Sequence, residues 1–353
     1  VNRWGRSLRW SPHIYPLTSS AMEPKKVIIT GGAGFIGSHL VEHILKNTNW
    51  HIYVFDKLTY ASMGYNRLKE VVDDLGEDRV TCFALDFTKP ISEGVRQEVG
   101  DVDYILHLGA ETHVDRSIED PMLFVESNVL GTTNMLLFAN WALKAQGKFL
   151  YFSTDEVFGP APEGVAYKEW DRYNSGNPYA AAKAAGEEMT LAFGNTYQLP
   201  VIITHTMNVF GERQHPEKFI PMTIKKVLAG ETVTIHSNKD KTKAGSRFYI
   251  HARNVAQAIV FLLENGKKQE KYNIVGEKEV DNLELAQFIA DTLGCPLNYE
   301  MVDFHSSRPG HDLRYALNGE LLKSMGFSFP KSFEESLKKT IEWTVEHKDK
   351  WLN

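Results

Sequence analysis

Val27-Ile28-Ile29-Thr30-Gly31-Gly32-Ala33-Gly34-Phe35-Ile36-Gly37 joins a short β-branched run to a glycine turn and the start of a helical pattern. A run of this kind suits a strand buried on both faces. Gly32, Gly34 and Gly37 carry the G-x-G-x-x-G spacing, with Gly31 beside them. One glycine permits a tight turn, one lets backbone approach a pyrophosphate, and the third lets helix and strand pack closely. Amides at the helix start, around Phe35 and Ile36, then face the anion. Ile52-Tyr53-Val54-Phe55 reads as the second strand and ends at Asp56. That is about 20 residues on, where a carboxylate accepts from ribose hydroxyls and repels a 2′-phosphate. NAD is therefore favoured over NADP, although Lys57 next door pulls the other way. Asp86-Phe87, after a third strand, is placed to flank the adenine; the plainer reading of Asp86 is a turn or cap residue.

Outward from this turn, apolar runs alternate with amphipathic ones. Strands at 80–83, 104–106, 149–152 and 201–203 are separated by helical stretches such as 36–47, 121–145 and 179–197. This alternation predicts an α/β fold, a doubly wound parallel Rossmann sheet with a smaller C-terminal substrate-binding lobe. Residues 25–207 form mainly the NAD-binding domain, and 208–353 mainly the lobe, some of whose segments return to the main sheet. Residues 1–24 carry Arg3, Arg6 and Arg9 with no acid before Glu23. They read as a disordered or cloning-derived extension, with an organelle transit peptide as the alternative.

A formal net charge of −6 opposes a nucleic-acid partner. Cys82 and Cys295 cannot build a zinc site, so no metal is expected, and they fit a reducing, cytoplasmic setting. No unbroken apolar run of about 18 residues argues for a membrane span.

Tyr179 and Lys183 form Y-x-x-x-K at the start of a predicted helix. At i,i+4 they share a face, so the ammonium can lower the tyrosine pKa and also reach a nicotinamide ribose. Tyr53/Lys57 and Tyr65/Lys69 match the same pattern, so position must decide. Tyr179 follows the fifth strand, which ends in Ser153-Thr154-Asp155-Glu156-Val157. Strand alternation would send the two carboxylates to opposite faces. They serve one substrate only if the chain has left the strand, as Phe158-Gly159-Pro160 suggests. The alternative is a pair of solvated loop charges.

From about 26 to 346 the chain resembles the nucleotide-sugar-modifying branch of the extended short-chain dehydrogenase/reductases, its 4,6-dehydratases above all. The resemblance rests on Leu108 to Ser117, Ser153 to Val157, Asn177 to Lys183, Pro216 to Pro221 and Arg308 to Asp312. It implies a lyase of deoxysugar biosynthesis acting on a nucleotide-diphosphoglucose, dTDP-glucose before UDP-glucose. Tyr179, helped by Thr154 and Lys183, would deprotonate the C4 hydroxyl. Glu156 would remove the C5 proton, and a protonated Asp155 would donate to the departing C6 oxygen. A nicotinamide would take hydride from C4 and return it to C6. The resemblance also places Ala110 with Tyr179 and Lys183 at the cofactor. It implies His113, Ser117, Thr154, Asn208, Lys218, Arg247, Arg308 and His311 as substrate contacts.

Phe248-Tyr249 after Arg247, Arg253-Asn254, Asn208-Val209 and the basic stretch Lys239 to Lys243 depart from that family's usual pattern. They leave the nucleotide base open more than the reaction. Helices 121–145 and 179–197 are apolar beyond one stripe, which with the resemblance predicts a homodimer. An epimerase or decarboxylase of the same fold, and a silent NAD-binding scaffold, are the competing readings.

Overall fold

The structure is a computed structural model that describes residues 23–58, 64–110, 114–303 and 314–353. Nearly all of the expected N-terminal extension lies outside these residues.

Strands β1 (Lys26–Thr30), β2 (His51–Asp56), β3 (Val80–Ala84), β4 (Val102–His107), β5 (Leu143–Thr154), β6 (Val201–Thr206) and β7 (Glu270–Ile274) form one seven-stranded sheet. Its order is β7-β6-β5-β4-β1-β2-β3, and every pairing is parallel. Val27, Ile28 and Ile29 are wholly buried, as a central strand covered on both faces requires. One apolar cluster fills each side of the sheet, built around Leu40, Ile44 and Ile259 on one face and Met135, Phe138 and Ile203 on the other. Strand order reverses between β1 and β4, and the crevice at that reversal is where open α/β sheets bind ligands.

The strand β7 comes from the C-terminal half, so the chain returns to the sheet after leaving it. Among the described residues, three small sheets lie beyond the main one. Val209–Phe210 pairs with Ile250–His251, Ser246–Phe248 with Glu279–Asp281, and Val233–Ser237 with Tyr299–Asp303. Helices Phe219–Ala229, Asn282–Leu293 and Phe333–Glu346 close around Phe210, Ile224, Leu285 and Leu337. Arg253, one of the unusual residues, donates to Ser336 at 2.7 Å and ties helix Ala252–Asn265 to the last long helix.

The helix Pro121–Ala142 includes one π turn at Glu126–Leu130. It stops at Ala142 instead of 145 because Leu143 already pairs with Val102. By length and composition it is apolar enough to cross a membrane, although it contains no unbroken apolar run of about 18 residues. Buried Ser127, Asn128, Thr132 and Asn134 interrupt that run, and half of its most apolar window lies inside the fold.

Candidate active site

The glycine turn sits at the sheet's reversal point. Gly31 has φ +70°, and a Cβ there would lie 2.9 Å from Gly109 Cα in the loop after β4. At Gly37 a Cβ would fall 2.2 Å from the Gly31 carbonyl, so only glycine lets helix Phe35–Asn47 seat against the turn. Gly34 is that helix's N-cap and supplies no side-chain acceptor. Helices starting at Glu93, Pro178, Asn282 and Phe333 are instead capped by Ser92, Asn177, Asp281 and Ser332. First-turn amides left without a capping side chain are what an incoming pyrophosphate uses. The residues therefore fit a dinucleotide.

Asp56 lies beside the turn, accepting from Ala33 N at 3.0 Å and Leu58 N at 2.7 Å. Burial raises its pKa against those two hydrogen bonds, and its remaining lone pairs can take a ribose hydroxyl. Lys57 approaches Asp86 at 3.9 Å, an exposed pair of little energetic weight. Asp86 also accepts from Thr88 N and Oγ1 at 3.0 and 2.6 Å, the geometry of a turn residue. Phe87 is buried, edge-on to His107 at 5.2 Å, and a Cβ on Gly109 or Gly131 would strike its ring. It packs the wall of the crevice. Ala110 follows Gly109 in the chain after β4.

Strand β5 ends at Thr154, and Asp155–Phe158 turns at once into a 3₁₀ helix. The chain has left the strand where both carboxyls need it to. Thr154 caps this turn, its Oγ1 accepting from Glu156 N at 3.3 Å and donating to Asp155 at 3.2 Å. Burial raises Asp155 to about 6, opposed by Arg247 and Thr154. Burial and the neighbouring Asp155 raise Glu156 to about 7, opposed by Arg247, Asn177 and Lys218. Two interacting carboxyls raised toward neutral pH can stand as one acid and one base side by side.

Tyr179 opens helix Pro178–Tyr197, with Pro178 in its first turn and Asn177 accepting from Ala180 N at 2.8 Å. Its ring is buried edge-on to Phe124 at 6.3 Å. Its hydroxyl lies near enough to Thr154, Glu156 and Asp155 for all three to act on its ionisation. Burial and the charges of Glu156 and Asp155 push the phenol well above its ordinary value. Lys183 does share the tyrosine's helix face, but its ammonium points elsewhere. Nζ donates to Phe152 O at 2.6 Å and lies 4.6 Å from the Tyr151 ring centre. Spacing at i,i+4 fixes Cβ positions, whereas a four-carbon stem lets the ammonium find the strongest acceptor within reach. Burial lowers Lys183 to about 8 against the charge of Glu187.

On the lobe side, Arg247 and Lys218 come close enough to act electrostatically on Glu156, and Arg247 on Asp155 as well. Asn208 lies beside the buried Tyr249 and acts on its ionisation, and the Tyr249 hydroxyl donates to Asn282 at 2.7 Å. Ser117 is wholly buried in helix Val114–Glu119, an interior position. His113, Arg308 and His311 lie outside the described residues.

Several supporting residues are not singled out by sequence reasoning. Asn177 both caps the Tyr179 helix and hydrogen bonds Glu156; its signal is an Asn directly before a helix-opening Pro. Behind the turn, Glu187 accepts from Ser153 Oγ at 2.7 Å and meets His205 Nε2 at 3.0 Å and Lys271 Nζ at 3.4 Å. Burial alone would raise the Glu187 pKa, but His205, Lys271 and Tyr173 pull it below its ordinary value. Its position at i+4 from Lys183 is visible in the sequence, whereas its partners come from β5, β6 and β7.

Comparison with known proteins agrees with this geometry. The dTDP-glucose 4,6-dehydratase of Salmonella typhimurium is 34% identical over 350 residues, covering 93% of this chain and 94% of that protein. The crystal structure of the dTDP-glucose 4,6-dehydratase DesIV from Streptomyces venezuelae, with NAD and TYD bound, superposes with a TM-score of 0.82 at 34% identity. It covers 92% of this chain and 98% of that one. A trifunctional protein of Arabidopsis thaliana, whose activities include UDP-glucose 4,6-dehydratase, is 32% identical over 95% of this chain and 49% of its own length. A family model described as the NAD dependent epimerase/dehydratase family matches residues 27–275. By that match and by near-full-length identity to its members, the chain belongs to the NAD dependent epimerase/dehydratase family.

Proposed function

We propose that this protein is an NAD-dependent 4,6-dehydratase that converts dTDP-glucose to its 4-keto-6-deoxy sugar. The observation that carries the reading is the turn that sets the adjacent carboxyls of Asp155 and Glu156 close enough to Tyr179 for both charges to act on its hydroxyl. An oxidation at C4 alone needs only the tyrosine. Loss of water across C5 and C6 needs a base and an acid side by side, and both carboxyls are held near neutral pKa.

In this mechanism Tyr179 takes the proton of the C4 hydroxyl while Thr154 orients its oxygen. The resulting ketone acidifies C5–H, which Glu156 removes. Asp155 protonates the C6 oxygen as it departs, so that one water leaves. Glu156, now protonated, returns a proton to C5 as C6 is reduced; NAD, when bound, would supply the acceptor for the C4 hydride and the donor of that hydride to C6. The turn at Gly31, Gly32, Gly34, Phe35, Ile36 and Gly37, together with Asp56, would hold that cofactor. Arg247 and Lys218 would meet the substrate diphosphate; Arg suits a bidentate phosphate contact.

Mass spectrometry of parallel reactions with dTDP-glucose and UDP-glucose tests the reading. The expected result is loss of one water, faster for the thymidine substrate. Epimerisation would leave the mass unchanged, and no product from either substrate would favour a silent scaffold. Faster turnover of the uridine substrate would move the assignment to a UDP-glucose dehydratase, since the two bases differ by one methyl.

The enzyme would act as a homodimer. Met122, Val125, Leu130, Leu137 and Trp141 are exposed along one side of helix Pro121–Ala142, with Ile118 and Tyr197 on neighbouring helices. A contiguous apolar face of this kind marks an interaction surface. Light scattering is expected to give a dimer mass for the wild type and a monomer mass for a Leu137→Glu, Trp141→Glu double variant. A monomeric wild type overturns the proposal. Cys82 and Cys295 are both free, in keeping with a cytoplasmic enzyme.

A further inference from the structure

One arginine outside the proposed chemistry touches both halves of the site. Arg314 Nη1 donates to the carbonyls of Ala161, Pro162 and Val165 at 3.2, 2.6 and 2.8 Å. Its Nε and Nη2 reach the two oxygens of Glu279 at 2.7 and 3.2 Å. The main chain follows the same path, with Ala161 N donating to Arg314 O at 3.0 Å and a bridge joining Arg314 to Ser246.

One end of this contact leads to the carboxyl turn and the other to Arg247. Ala161 to Val165 follows the carboxyl turn after Gly159, whose φ is +78°. A Cβ on Gly159 would lie 2.3 Å from Asn174 O, so the exit from the turn has one permitted path. At the other end, Glu279 also accepts from Ser246 Oγ at 2.6 Å. Its strand pairs antiparallel with Ser246–Phe248, setting Val280 opposite Arg247. The Arg247 guanidinium lies 5.0 Å from the ring centre of Tyr315, the residue after Arg314. Hydrogen bonding to Arg314 lowers the Glu279 pKa, so the pair is a charged fork on a carboxylate.

We propose that Arg314 and Glu279 form a positioning clamp that fixes Arg247 relative to the Asp155–Glu156 turn. The inference rests on the functional reading above for the part Arg247 plays at the diphosphate. Lysine cannot substitute for Arg314, because one ammonium cannot serve a bidentate carboxylate and three carbonyls from a single stem. The clamp has an electrostatic consequence. Arg247 holds down the pKa of both carboxyls, so displacing it raises them and shifts the acidic limb of activity to higher pH. Among the described residues, Lys218, His205, Asn177, Thr154 and Tyr179 also face the carboxyls, and none of these is held by Arg314.

Arg314→Lys and Glu279→Gln test this, the second keeping a neutral acceptor in place. For both, KM for dTDP-glucose is expected to rise about tenfold with kcat within about threefold, because a small misplacement weakens a binding contact first. The acidic limb of kcat/KM should move upward, and bound NAD should be unchanged. Hydrogen exchange should quicken in both 161–167 and 246–248. Unchanged KM and pH limb overturn the proposal, whatever happens to the melting temperature. If the wild type dehydrates neither nucleotide, the functional reading fails, and exchange alone decides the clamp. Quickening in only one of the two segments then rejects it.

Discussion

Tyr179→Phe is expected to lower kcat for dTDP-glucose dehydration about a thousandfold, the usual scale for removing a general base. KM and NAD content should change little. The substitution keeps the ring that packs edge-on to Phe124 and removes only the hydroxyl facing Thr154. Loss of one buried polar contact costs stability about 1 kcal/mol, too little to unfold the domain. The rate loss follows from the position of the phenol. Its pKa lies well above the ordinary tyrosine value because it is buried and faces Glu156 and Asp155. A group so placed is protonated at neutral pH and gives up its proton only when positive charge gathers beside it. The ammonium of Lys183, now on Phe152 O, has a stem long enough to supply part of that charge by swinging toward the ring. Below the tyrosine pKa the active form is the minority, so the wild-type C4 step should quicken with rising pH. The Phe variant should lose that dependence. A loss smaller than about tenfold would mean that another base takes the C4 proton. Glu156, whose charge already acts on Tyr179, would be the first candidate. Steady-state kinetics across pH, with bound NAD measured after denaturation, checks each part.

The features legible in the sequence share one property, which is that their geometry is local. The strand, glycine turn and helix at Val27 to Gly37 are fixed by residues a few positions apart, and φ +70° at Gly31 is a demand that glycine answers directly. The departure from strand geometry at Asp155 follows from the need to bring two adjacent carboxyls to one side, and Asp155–Phe158 is a 3₁₀ turn. Side-chain direction is a different matter. The i,i+4 spacing put Lys183 on the face of Tyr179 but could not say that its ammonium would take the Phe152 carbonyl. Ser117 lies in a segment that resembles a substrate loop, yet packing encloses it completely. Contacts between distant segments were the least visible. Glu187 reads as one more helix charge until β6 and β7 bring His205 and Lys271 to it. Arg314 sits far along the chain from both Ala161 and Glu279, and only the closing of the lobe over the sheet makes it a fork.

Asp155→Asn should separate the two halves of the reaction. Asparagine keeps the shape and can still accept from the Thr154 hydroxyl, which contacts Asp155 at 3.2 Å. It cannot deliver a carboxylic proton. Elimination of the C6 oxygen should therefore slow about a hundredfold to a thousandfold, the range for losing a general acid. The first step should survive, because the charge of Asp155 opposes it. That charge raises the pKa of both Tyr179 and Glu156. Removing it lowers both, so deprotonation of the C4 hydroxyl becomes easier and Glu156 is ionised at lower pH. The acidic limb of the C4 step should accordingly move down in pH. Borodeuteride quenching during turnover, followed by mass spectrometry, reads the difference. The variant should accumulate a trapped sugar nucleotide that retains its C6 oxygen and carries deuterium at C4, which the wild type passes through too quickly to collect. If trapping and product formation fall together, Asp155 acts before elimination and the assigned division between the two carboxyls is wrong. If elimination is undiminished, Glu156 serves as both base and acid. Burial still raises the Glu156 carboxyl once the Asp155 charge is gone, so a minority of molecules would carry the proton that second role needs.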